Sequence, residues 1–120
     1  MSAQPSLKIL NATRNTVICQ QAQQATTFLE GLKGLLGRKQ LDAGAGLLIR
    51  PSSGVHTWGM RFPIDVVALD RGMKVTGVWK NVRPYRTCAI SLRTWSVLEL
   101  PVGQIALSNT VAGDQLAISG

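Results

Sequence analysis

A mainly β, or α+β, single domain with one principal helix at about residues 27–37 is the fold class this sequence predicts. Three observations predict it. Short apolar runs such as Ile64–Leu69 and Ser96–Leu100 are bounded by turn-forming residues or proline, as strands are. One stretch, from Phe28 to Leu36, repeats its apolar residues at helical spacing. The chain has 120 residues, the size of one domain, and 45% of them are hydrophobic, enough for a core.

Each element follows in order. Residues 1–6 are expected to be loose. Leu7–Leu10 and Thr16–Cys19 read as two strands joined by the turn chemistry of residues 11–15. Thr27-Phe28-Leu29-Glu30 fits a capping box, and Phe28, Leu29, Leu32, Leu35 and Leu36 fall on one helix face. Gly31 and Gly34 cost that helix about 1 kcal/mol each, so packing must hold it. Gly37 suits its C-terminus. Gly46–Ile49 reads as a buried strand ended by Pro51. Ile64–Leu69 is a second, closed by the turn signal Asp70-Arg71-Gly72. Lys74–Trp79 is a third, with Val75, Gly77 and Trp79 alternating and Trp79 assigned to the core. Residues 81–86 read as a polar loop. Cys88–Leu92 fits a short strand, Ser96–Leu100 a clear one, Val102–Ser108 a helical turn, and Leu116–Ile118 a last strand.

The stretch from Val55 to Asp65 carries the most chemistry. It holds the chain's one histidine, His56, with Trp58, Met60 and Arg61. His56 can donate, accept or take a proton near neutral pH. Asp65 is an anomaly inside an apolar run. Buried there, it needs a charged or hydrogen-bonded partner, and Arg61 and His56 are nearest in sequence. A zinc site needs about three or four protein ligands, and neither the lone histidine nor the spacing of Cys19 and Cys88 supplies them, so no metal or cofactor is predicted. The two cysteines read as small core residues. A His56–Cys88 nucleophilic pair has nothing in the sequence to bring it together. A glycosidase would need Asp65 and Glu99 facing each other within about 5–10 Å.

The net charge of +7 is concentrated. Arg71, Lys74, Lys80, Arg83, Arg86 and Arg93 give residues 71–98 a charge of +6 with no acid among them. The segment reads first as a solvated face, and second as a surface for nucleic acid or an acidic partner. It has no zinc-finger, helix-turn-helix or RNP signature. No apolar run approaches the ~18 residues of a membrane span. The start of the chain lacks the basic-then-apolar order of a secretory signal, so a cytoplasmic location is expected, with a trimmed exported chain left open.

Several motifs occur in a fixed order: Gly34-Leu35-Leu36-Gly37-Arg38, Gly46-Leu47-Leu48-Ile49, the block from His56 to Asp65, Val97-Leu98-Glu99-Leu100-Pro101-Val102-Gly103, and Gly113-Asp114. Together they closely resemble the bacterial and archaeal family called domain of unknown function 192, over about residues 17–118. The resemblance implies a β-barrel or sandwich-like domain with the 27–37 helix packed across it. It implies no accepted activity. Gly31 stands where the family usually has arginine, and Leu36 where it often has methionine.

The expected function is a small, non-catalytic binding module. Its cleft would be lined by His56, Trp58, Met60, Arg61 and Asp65, with Arg38, Arg83, Tyr85 and Arg86 at the rim. The ligand would be small and either anionic or polyhydroxylated. An enzyme using His56 with Asp65, and nucleic-acid or acidic-partner binding through residues 71–98, are the alternatives. The sequence points to no membrane and names no protein partner.

Overall fold

The computed structural model describes residues 6–25, 41–52, 55–56, 62–83, 87–88 and 91–119. Its elements are β1 (Leu7–Asn11), β2 (Thr16–Ala25), β3 (Ala45–Ile49), β4 (Val55–His56), β5 (Ile64–Leu69), β6 (Val75–Val82), β7 (Thr87–Cys88), β8 (Ser96–Leu100), α1 (Gln104–Ser108) and β9 (Leu116–Ser119). The helix expected at 27–37 lies outside the described residues.

Seven strands form one sheet in the order β6-β5-β8-β3-β2-β1-β9, and β4 pairs with β7 in a separate ribbon. Within the large sheet β2 and β3 run parallel, and the other neighbours are antiparallel. The sheet curls until its two edges meet at one end. There Lys74 bridges Gln115, the Val75 amide donates to the Asp114 carbonyl at 2.8 Å, and the Leu116 amide donates to the Met73 carbonyl at 2.9 Å. The result is a half-barrel.

Curling gives the sheet two unlike faces. The interior is filled by Ile9, Ile18, Leu48, Val67, Val75, Leu98 and Leu116, one or more from every strand of the sheet, with Ile105 of α1. The outer face carries Leu47, Ile49, Ile64, Val66, Ala68 and Val97 from the central strands, with Leu41 and Phe62 beside them. Alternate residues of β3, β5 and β8 therefore enter opposite cores, as a two-residue side-chain period requires. All six residues of β5 and all five of β8 are buried.

Several elements differ from expectation. β2 is ten residues long, well beyond Cys19. Its glutamines obscured the run, but the backbone of residues 21–25 pairs with β3. β6 continues through Asn81 and Val82 instead of leaving as a loop. Asn81 adopts a left-handed φ of 53°, which asparagine tolerates, and its amide is held by Asp65. In the 88–92 stretch the strand is Thr87–Cys88, while Leu92 is fully exposed. Cys19 is a buried free thiol, as a core residue would be; burial raises its pKa above the ordinary value, against a smaller lowering by the Gln21 backbone. Among the described residues no helix is long and apolar enough to cross a membrane.

Candidate functional site on the outer face

Glu99 is the penultimate residue of β8, an inner strand of the sheet. It lies opposite Leu47 on β3 and Val66 on β5. Both neighbours belong to the outer face, so the Glu99 side chain stands among apolar groups there. It has no exposed surface. Neither carboxyl oxygen has a hydrogen-bond partner among the described residues. Burial pushes its pKa from 4.5 up to about 8, so the group is largely a neutral acid at pH 7, able to donate one hydrogen bond and accept others. The unmatched carboxyl in an otherwise apolar run was the signal in the sequence. From the sequence its expected roles are pairing with an arginine, the simpler account, or opposing Asp65.

The register extends this row to both sides. Val66 lies opposite Trp79 on β6, and Leu47 lies opposite Gln23 on β2. Trp79, Val66, Glu99, Leu47 and Gln23 thus cross five strands on one face. Trp79 is 36% exposed, not a core residue as its alternation suggested. It sits on β6, the last strand at that edge of the sheet, and its indole rests over Gly77. A side chain at Gly77 would meet the ring, since its first carbon would lie 2.7 Å from the indole.

Asp65 faces the other way. It is fully buried and pairs in register with Leu100 of the interior. Its Oδ1 accepts the Asn81 amide at 2.9 Å. Its Oδ2 accepts the amides of Gly103 at 3.1 Å and Ile105 at 3.0 Å. Free amides at the start of a helix need such acceptors. Gly103, which precedes α1 at a left-handed φ of 98°, has no side chain to provide one. Among the described residues the partners of Asp65 are three backbone amides; Arg61 and the His56 side chain, its nearest candidates in sequence, lie outside them. The carboxylate ties β5 to β6 and to the start of α1.

A second buried polar group organises the Gly113-Asp114 turn. Asp114 accepts from Asn11 Nδ2 at 3.0 Å, from Arg14 Nε at 3.1 Å and from the Val111 amide at 3.0 Å. Burial raises its pKa, but the bonds from Arg14, Asn11 and Val111 outweigh burial and leave it below the ordinary value.

The remaining predicted site residues separate by position. His56 lies in β4, where its backbone pairs with Thr87, while Val55 pairs with Cys88. The ribbon therefore brings the His56 and Cys88 segments side by side, a juxtaposition the sequence did not reveal. Arg83 is exposed just past β6, as are Arg71, Lys74, Lys80 and Arg93 of the basic segment. Arg71 stacks over the Trp95 ring at 4.1 Å. Trp58, Met60, Arg61, Arg38, Tyr85 and Arg86 lie outside the described residues. Phe62, next in the chain after Arg61, is buried in the outer core with Ile64 and Val66. The described residues Phe62 and Ile64 of the His-to-Asp block thus lie on the face that holds Glu99.

Two solved structures share the fold. One is a protein of unknown function from Novosphingobium aromaticivorans, 21% identical, with a TM-score of 0.76 over 97% of this chain and 94% of that one. The other, from Sinorhizobium meliloti, is described as a proposed transcription regulator; it is 20% identical, with a TM-score of 0.73 over the same shares. The comparison with curated proteins gave no match. The family model of DUF192, described as "Uncharacterized ACR", matches residues 9–118, and so takes in most of β1 as well as the motifs from residue 17 onward. The chain is a member of the domain of unknown function 192 family.

Proposed function

We propose that this protein is a small, non-catalytic binding module whose polar ligand is taken up on the outer face of the sheet, against Glu99. The observation that supports the reading is a fully buried carboxyl with no partner among the described residues. Such a group is costly inside a protein unless something satisfies it. In this reading His56, Trp58, Met60 and Arg61 contact the ligand, and Arg38, Arg83, Tyr85 and Arg86 form the rim. Asp65 supports the site through the backbone it holds. A neutral carboxyl both donates and accepts, as hydroxyl groups do in return, so the ligand is taken to be polyhydroxylated. The reading also takes the protein as cytoplasmic, in keeping with the free Cys19 thiol.

Calorimetric titration with disaccharides, sorbitol and inorganic phosphate tests the proposal. Binding of a hydroxylated probe that weakens at least about tenfold in Glu99→Leu, which removes both donor and acceptor, is expected, a loss of about 1.4 kcal/mol. Equal affinity in that variant would remove Glu99 from the site.

The exposed cations of residues 71–93 favour a second reading, an anionic macromolecule bound along that edge. Oligonucleotide binding that falls steeply with salt and is unchanged by Glu99→Leu would support it.

A further inference from the structure

We infer that the ligand of the outer face is a sugar ring that stacks on Trp79 while its hydroxyls are held by Glu99. The inference rests on the binding reading above and names its ligand class. Trp79 and Glu99 both lie opposite Val66, on the strands to either side of β5. Two strand spacings separate them, roughly 10 Å. That is the span of a disaccharide with one unit on the ring and the other at the carboxyl.

The geometry at Trp79 is that of a platform. The indole lies against Gly77, where the lack of a side chain lets the ring settle over the backbone. Gly77 itself pairs with Ala68, another small residue on the same face. One face of the ring is thereby occupied by the sheet, while more than a third of the residue stays accessible. An aromatic face takes up the apolar C–H side of a sugar, and a few placed polar groups fix its orientation.

The row supplies those polar groups. Glu99 offers a buried carboxyl with unmatched donor and acceptor capacity. Beyond it, the exposed Gln23 carries an amide on the same row. The backbone positions of Trp79, Glu99 and Gln23 share one row across the face, separated by Val66 and Leu47, while the indole leans one row aside over Gly77. Neither polar group of the row carries a fixed positive charge, which separates this site from the basic edge. Glu99 has no exposed surface, so binding must uncover it; Trp79 is the part of the row a ligand meets first.

The test is an NMR titration of the nitrogen-15-labelled protein with cellobiose, maltose, lactose and chitobiose, with sorbitol and inorganic phosphate as comparisons. At least one disaccharide is expected to shift the Trp79 indole N–H and the amides of Val66, Glu99 and Leu47. Trp79→Ala should weaken that binding about tenfold or more, while Trp79→Phe, which keeps a ring, should stay within about threefold of the parent. Gly77→Ala, which displaces the ring without removing it, should weaken binding too. Dispersed amide spectra confirm that each variant folds. If a disaccharide moves the Val66, Glu99 and Leu47 amides but binds Trp79→Ala equally well, the stacking inference falls and the binding module stands. The same holds if sorbitol binds as tightly as the sugars. If no probe moves the row, both fall.

Discussion

Asp65 and Glu99 sit one residue out of step on adjacent strands: Asp65 lies opposite Leu100, and Glu99 opposite Val66. Their side chains therefore point to opposite faces of the sheet. The two carboxyls cannot converge on one glycosidic bond, and the pairing weighed from sequence is excluded. One is a structural tie within the interior. The other is an unmatched acid on the outer face. Different substitutions should report the two roles.

Replacing Asp65 by alanine strands three amides, those of Asn81, Gly103 and the buried Ile105. Stability should fall by about 3 kcal/mol, read as a lower midpoint in urea unfolding. Asn81 and Gly103 should lose amide-exchange protection first, because each depends on the carboxylate.

Glu99 should make the protein less stable as pH rises. Its pKa is 4.5 ordinarily and about 8 in the fold. Between those values the unfolded chain is ionised while the folded one keeps its proton, so ionisation favours unfolding. Stability should decline from about pH 4.5 to 8 and level off above, by an amount on the order of a few kcal/mol. Glu99→Gln should flatten that decline in denaturation curves measured across the range. A parallel decline in both proteins would remove Glu99 as its cause.

Asp114 has the opposite sign. Its pKa in the fold is lowered from 3.8, so its stabilising contribution is present above that value and lost as pH falls through the lower one. Asp114→Ala should cost about 2 kcal/mol at neutral pH by leaving buried Asn11 and the Val111 amide without their acceptor. The gap between variant and parent should narrow below pH 3.8.

Gly46 lies where a side chain would meet Cys19 Sγ at 2.7 Å and the Glu99 carbonyl oxygen at 3.1 Å. Gly46→Ala should cost about 1–3 kcal/mol through overpacking. Adding Cys19→Ala removes the nearer contact and should recover part of the loss. A double-mutant cycle measures that coupling, and strict additivity would show that the sulfur is not the obstacle.

Much of the fold was legible because local patterns were strong. Ile64–Leu69 and Ser96–Leu100 were bounded correctly from their apolar runs and flanking residues. The hairpin of β1 and β2, the turn at Asp70 and the helical turn after Gly103 were likewise readable. Asp70 shows why: its Oδ1 accepts the amides of Gly72 and Lys74, contacts contained within the turn. Asp65 and Glu99 were both conspicuous as acids among apolar neighbours. The sequence thus determined where most strands and turns lie and that two acids stand in apolar runs, features that depend on residues close in the chain. Only the tertiary structure decided what each acid does. The partners of Asp65 lie 16 to 40 positions away, and the row joining Gln23, Leu47, Glu99, Val66 and Trp79 exists only through strand order and register. A strand's own pattern shows that it has two faces; which face meets which core is fixed by the strands beside it.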